Sequence, residues 1–106
     1  MSEVVVVAVF RVKEDRMDDA IEGFRPVIEQ THREEGCISY ALHRDNLDPA
    51  KLVLVERWRS QEDLDAHFSR PHMAELGTLA AEVLAGQPEI SFCSPLEIGD
   101  AEKGLL

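Results

Sequence analysis

Val4-Val5-Val6-Val7-Ala8-Val9-Phe10 and Leu52-Val53-Leu54-Val55 are unbroken apolar runs, and Cys37-Ile38-Ser39-Tyr40-Ala41-Leu42 is nearly one. Runs this short read as strands. A strand with one wet face alternates apolar and polar residues with period two, and a strand covered on both faces does not. The pattern therefore predicts strands over 3–12, 37–44 and 51–59 in a sheet buried on both sides. A fourth strand over 89–98 does alternate: Ile90, Phe92, Ser94, Leu96 and Ile98 against Ser91, Cys93, Pro95 and Glu97.

Between the first two strands the period changes. Met17, Ala20, Ile21, Phe24, Val27, Ile28 and Thr31 recur at helical spacing, opposite Asp18, Asp19, Glu22, Arg25, Glu29 and Arg33. This predicts an amphipathic helix over 15–35, bent at Pro26 and ended by Gly36. Residues 45–50 read as a hairpin loop. Ser60-Gln61-Glu62-Asp63 resembles a capping box and starts a short helix to Phe68. Pro71 suits the first turn of another helix over 72–85, which buries Met73, Leu76, Ala80, Val83 and Leu84.

The order β-α-β-β-α-β predicts an α+β, ferredoxin-like fold, with one antiparallel four-stranded sheet and helices on one face. The second apolar face needs a cover. A second copy of the chain is the economical one, so we expect a homodimer built as a dimeric α+β barrel. Residues 1–98 form the domain and 99–106 a C-terminal tail.

The chain has 106 residues and a net charge of −10. That charge opposes nucleic acid and anionic membrane surfaces as partners. No apolar run approaches the roughly 18 residues of a membrane span. Met-Ser-Glu opens no basic and apolar leader, so a cytoplasmic protein is expected, with Cys37 and Cys93 reduced and buried. The six glycines form neither a dinucleotide fingerprint nor a P-loop, and no Cys/His cluster has metal spacing.

Histidine is the side chain best placed for general base work at neutral pH. His67 and His72, five apart, would not share a face of one continuous helix. A break at Pro71 could bring both to one cleft. The alternative is a core-edge His67 and a hydrogen-bonding His72; His32 and His43 read as surface residues. Glu56 interrupts an apolar strand and needs a partner, for which Arg44, Arg11 or Arg57 is available; a role in orienting substrate or accepting its proton stays open. Trp58 either packs in the core with its indole N–H on backbone or flanks a ligand. Tyr40 either packs or offers its hydroxyl.

Three segments carry a family resemblance: Glu35-Gly36-Cys37-Ile38-Ser39-Tyr40, Leu52-Val53-Leu54-Val55-Glu56-Arg57-Trp58, and Leu64-Asp65-Ala66-His67 with Pro71-His72-Met73. In this order and spacing they resemble the antibiotic biosynthesis monooxygenase family, nearest its quinol-monooxygenase-like members. The resemblance implies a dimeric α+β barrel that oxygenates phenols or quinols without metal or flavin. Haem degradation is not expected, because Ala8 stands where those members, by resemblance, carry asparagine. Leu54 and Leu64 replace the asparagine and tyrosine of the polyketide-tailoring members, leaving only Trp58 of that scheme.

The expected catalytic residues are thus His67 and His72. The expected substrate contacts are Trp58, Tyr40, Glu56 and Phe68, with no metal and no cofactor. The substrates would be a small aromatic or quinol and molecular oxygen. A non-oxidative isomerase of a small carbonyl compound and a non-catalytic dimeric binding module are the alternatives.

Overall fold

The two longest apolar runs form the centre of the sheet. In the computed structural model, which describes residues 2–106, β1 (Val4–Arg11) and β3 (Lys51–Trp58) are the middle strands. β2 (Cys37–Arg44) pairs with the outer side of β3, and β4 (Glu89–Cys93) with the outer side of β1. All three pairings are antiparallel and the strand order is β2-β3-β1-β4. Three helices cover one face: α1 (Met17–Thr31), α2 (Gln61–Phe68) and α3 (Pro71–Val83). This is the expected ferredoxin-like α+β arrangement, with the second helical crossover broken in two.

The register divides the sheet into two faces. Val6, Ala8, Phe10, Tyr40, Leu52, Leu54, Glu56 and Trp58 point under the helices and are buried. Ala20 and Phe24 of α1 meet them, with Phe10 and Phe24 packed edge to face. Val5, Val7, Val9, Val53 and Val55 point the other way and stay partly exposed, as their apolar sequence on both faces anticipates.

Several boundaries differ from the sequence reading. α1 begins two residues late, after Asp15 at φ 65°, and ends at Thr31. It runs continuously through Pro26, a solvent-side position where the missing N–H is tolerated. Gly36 is not its left-handed cap, since its φ is not positive. It is small because a Cβ there would collide with the Asp63 side chain. β4 stops at Cys93 instead of 98: Pro95 has no N–H for a ladder, and Leu96 and Ile98 are left 80% and 75% exposed. Residues 99–106 contain a turn closed by the Gly104 amide on the Asp100 carbonyl, 2.9 Å. Both cysteines are free, as expected, but only Cys37 is half-buried; Cys93 is exposed on the edge strand.

The start of α2 follows the capping reading. Ser60 is extended (φ −160°, ψ 165°), and its hydroxyl accepts the Asp63 amide at 3.1 Å. Ser60→Ala is expected to lower stability by about 1 kcal/mol, read as a shift in the urea midpoint. An unchanged midpoint would mean that the Arg59–Asp63 pair, at 2.8 Å, holds this turn without the cap.

Candidate active site

Between the sheet and α3 lies a cavity of about 220 Å³. Its floor is Val6, Ala8, Phe10 and Leu54; its roof is Met73, Leu76, Gly77 and Ala80; Phe68 and Ile90 stand at its half-open rim. Three polar or aromatic residues expected at the site line it: Tyr40, Glu56 and Phe68. No lysine or arginine does, among the described residues.

Glu56 has none of the arginine partners expected from sequence. Arg57 faces outward to Glu3 at 2.6 Å, and Arg11 pairs with Asp48 at 3.0 Å. On a strand, neighbours i and i+1 lie on opposite faces, which alone removes Arg57. The Glu56 carboxylate accepts one hydrogen bond, from Trp58 Nε1 at 2.9 Å. These two residues share a strand face at i and i+2. Burial without a cation pushes the Glu56 pKa up to about 7; the Trp58 bond opposes the shift and Glu34 adds to it.

Trp58 itself is fully buried and does not line the cavity. It packs as a core residue, but its indole N–H goes to a carboxylate, not to backbone. Its ring lies 4.5 Å, centroid to centroid, from His67, which also touches Tyr40 at 5.5 Å and Phe68 at 5.6 Å. Five of the expected site residues therefore form one cluster: Tyr40, Glu56 and Phe68 line the cavity, and Trp58 and His67 lie behind them.

The break between α2 and α3 brings His67 and His72 together, with ring centroids 5.9 Å apart. What joins them is Glu34, which the sequence reading missed. One oxygen, Glu34 Oε2, lies 2.7 Å from His67 Nδ1 and 2.8 Å from His72 Nε2. Arg70 Nε is 3.5 Å from the other oxygen. Glu34 belongs to the tight turn that ends α1, where the Cys37 amide bonds the Glu34 carbonyl and the Arg59 amide bonds the Gly36 carbonyl. The close approach of Gly36 to Asp63 presses this turn against the start of α2. A signal was present: one more turn of the α1 apolar stripe lands on Glu34 and Glu35, carboxylates at positions where the period demands burial.

The three ligand atoms of Glu34, His67 and His72 lie within 4.8 Å of one another, a separation that a metal ion can bridge. Both histidines, however, lie within hydrogen-bond distance of the same oxygen, which fits two N–H groups donating to one carboxylate. On the side away from the cavity, Glu34 and His72 border an open cleft with Gln30, Arg33 and Arg70.

Among the described residues, two buried side-chain polar atoms lack a hydrogen-bond partner: the Tyr40 hydroxyl and His67 Nε2. The Thr31 hydroxyl beside Tyr40 is committed to the Val27 carbonyl at 2.8 Å. Burial pushes the Tyr40 pKa well above its ordinary value and, outweighing Glu34, pulls the His67 pKa down. At neutral pH the first is a neutral donor and the second a neutral imidazole. His32 and His43 are exposed, as expected, each beside a backbone carbonyl.

Residues 3–78 match the family model for antibiotic biosynthesis monooxygenases, and the chain belongs to that family. It is 32% identical over 100 residues to "Putative monooxygenase Rv0793" of Mycobacterium tuberculosis, spanning 94% of this chain and 98% of that one. The solved structure of Rv0793 superposes with a TM-score of 0.85, covering 93% of this chain and all of that one. "Probable quinol monooxygenase YgiN" of Escherichia coli is 31% identical over 61 residues, half of this chain and 59% of its own length. An uncharacterized Synechocystis protein, sll1783, is 32% identical over 87 residues, 82% of this chain and 59% of its own. The chain thus spans less than two thirds of some relatives and nearly all of others. Among the described residues, no helix is long and apolar enough to cross a membrane.

Proposed function

We propose that this chain is a cytoplasmic, homodimeric monooxygenase that oxidises a small hydroxylated aromatic or quinol with molecular oxygen, using neither metal nor flavin. The observation that carries the reading is an apolar cavity lined by Tyr40 and by a Glu56 carboxyl with no cation beside it, with the buried His67 packed behind Tyr40 and Phe68. The Tyr40 hydroxyl and His67 Nε2 are complementary and unsatisfied. A buried polar group without a partner costs roughly 1–3 kcal/mol, so a ligand hydroxyl that reaches either atom is favoured. An engineered apolar cavity of about 150 Å³ takes benzene. The larger volume here suits a substituted ring.

The absence of cations along the cavity separates the candidate substrates. A phosphorylated or carboxylated molecule would enter beside Glu56 with nothing to neutralise it. This disfavours an isomerase of a phosphorylated carbonyl compound. An uncharged phenol or quinol meets apolar walls and two polar lining residues, Tyr40 and Glu56.

In this reading the substrate hydroxyl accepts from Tyr40 and gives its proton to His67 Nε2. Glu56 orients a second oxygen or the ring's polar edge. The resulting anion is electron-rich enough to reduce oxygen. One oxygen atom enters the ring, the other leaves as water, and the ring's own electrons reduce both. For a hydroquinone the products are a hydroxyquinone and water, which balances. The protein supplies a base, donors for the anion and a cavity that sheds water.

The outer sheet face, with its five partly exposed valines, supports the dimer. The deciding experiment is oxygen uptake with a panel of hydroquinones and naphthoquinols under ¹⁸O₂. One labelled atom should appear in the product, and the His67→Ala, His72→Ala double variant should lose at least about a hundredfold in rate. An unlabelled product rejects the oxygenase, and an unchanged rate in the double variant rejects the base.

A further inference from the structure

We propose that Glu34 is a positioning residue that fixes the tautomer of His67, so that Nε2, behind the cavity wall formed by Tyr40 and Phe68, holds a free lone pair for the substrate proton. The inference rests on the oxygenase reading and deepens it.

The geometry admits one proton arrangement when Glu34 is ionised. A carboxylate only accepts. His67 Nδ1, at 2.7 Å, must then carry a proton, and a neutral imidazole with Nδ1–H has its lone pair on Nε2. His72 Nε2, at 2.8 Å, donates to the same oxygen, and Arg70 stands at 3.5 Å from the other. Two N–H donors and a guanidinium face the Glu34 carboxylate, whose side chain is only 7% exposed. The groups facing His67 come from every neighbouring element. They are Glu34 from the turn after α1, Tyr40 from β2, Trp58 from β3, Phe68 from α2, and Arg70 and His72 at the start of α3. Only Glu34 accepts a proton from it.

The same carboxylate stabilises the imidazolium once His67 takes the substrate proton. It also connects the buried ring to the outside. His67 is fully buried, whereas Glu34 and His72 border the open cleft on the far side. The chain His67–Glu34–His72 therefore joins the cavity's base to solvent through hydrogen bonds, and does not wet the cavity.

The test joins a reading that needs no turnover with one that does. In ¹⁵N-labelled wild-type protein, imidazole NMR should show His67 protonated at Nδ1 and bare at Nε2. With a quinol that the wild type oxidises, Glu34→Gln should lower kcat on the order of a hundredfold while KM moves less than about threefold. Glu34→Asp should recover part of the loss. An Nε2–H tautomer in the wild type overturns the proposal, as does a Glu34→Gln loss that falls on KM alone. A rise in Tm with zinc chloride that vanishes in Glu34→Gln also overturns it, because the three side chains would then hold a metal in place of protons. If the wild type oxidises no quinol, the oxygenase reading fails, and the NMR spectrum still decides the role of Glu34.

Discussion

Glu56→Gln is expected to be more stable than the wild-type protein by on the order of 3 kcal/mol at about pH 8, and to converge with it near pH 4. The difference follows from a raised pKa. Burial lifts the Glu56 pKa from 4.5 to about 7, and each unit is worth about 1.4 kcal/mol. Between those two values the unfolded chain has released the proton and the folded chain still holds it. The folded state binds more protons, so stability falls as pH rises. It is fully present below the unfolded pKa and lost as pH passes through the folded one. Glutamine keeps a carbonyl for Trp58 Nε1 and has no charge to bury, so its curve stays flat where the wild type descends. Urea midpoints measured across this range at one protein concentration check it. Parallel curves would mean that water or a cation reaches Glu56, and the cavity would not be dry.

Val55→Lys is expected to convert a dimeric protein into a folded monomer. Val55 and its cross-strand partner Val7 lie near the middle of the valine-rich outer face. In a lone protomer the new ammonium reaches water, and the sheet beneath is little affected. In a two-fold dimer the change occurs twice in one self-complementary patch. Burying an unpaired charge costs several kcal/mol. Sedimentation velocity should give a species of about twice 11.9 kDa for the wild type and half that for the variant, with unchanged far-UV dichroism. A wild type that sediments as a monomer at micromolar concentration sinks the dimer proposal outright.

The sheet was legible because its signal is redundant. Whole runs such as Val4–Phe10 carry one message, and one misread residue changes nothing. β4 was overread because alternation continues through Ile98, although Pro95 already forbids the ladder. The site was legible as residue types and less so as contacts. His67, His72, Trp58 and Tyr40 lie together, because the break at Pro71 and the strand parities fix which way each points. Glu34 was lost although the period placed it on the buried side: the stripe marks its position, but its histidine partners are set by the turn after α1, which periodicity does not describe. For Arg57 and Arg11 the missing partner of Glu56 was a parity error, while Arg44 has the right parity but stands opposite Leu52, well along the sheet from Glu56.

Gly77 lies inside α3, where glycine weakens a helix by about 0.5–1 kcal/mol relative to alanine. Packing does not demand it, since an added methyl would meet nothing within 4 Å. Yet it stands in the roof of the cavity. The roof over a guest is thus raised by a side chain that is not there. A chain of this design carrying alanine at that point would hold its helix more firmly and admit slimmer rings.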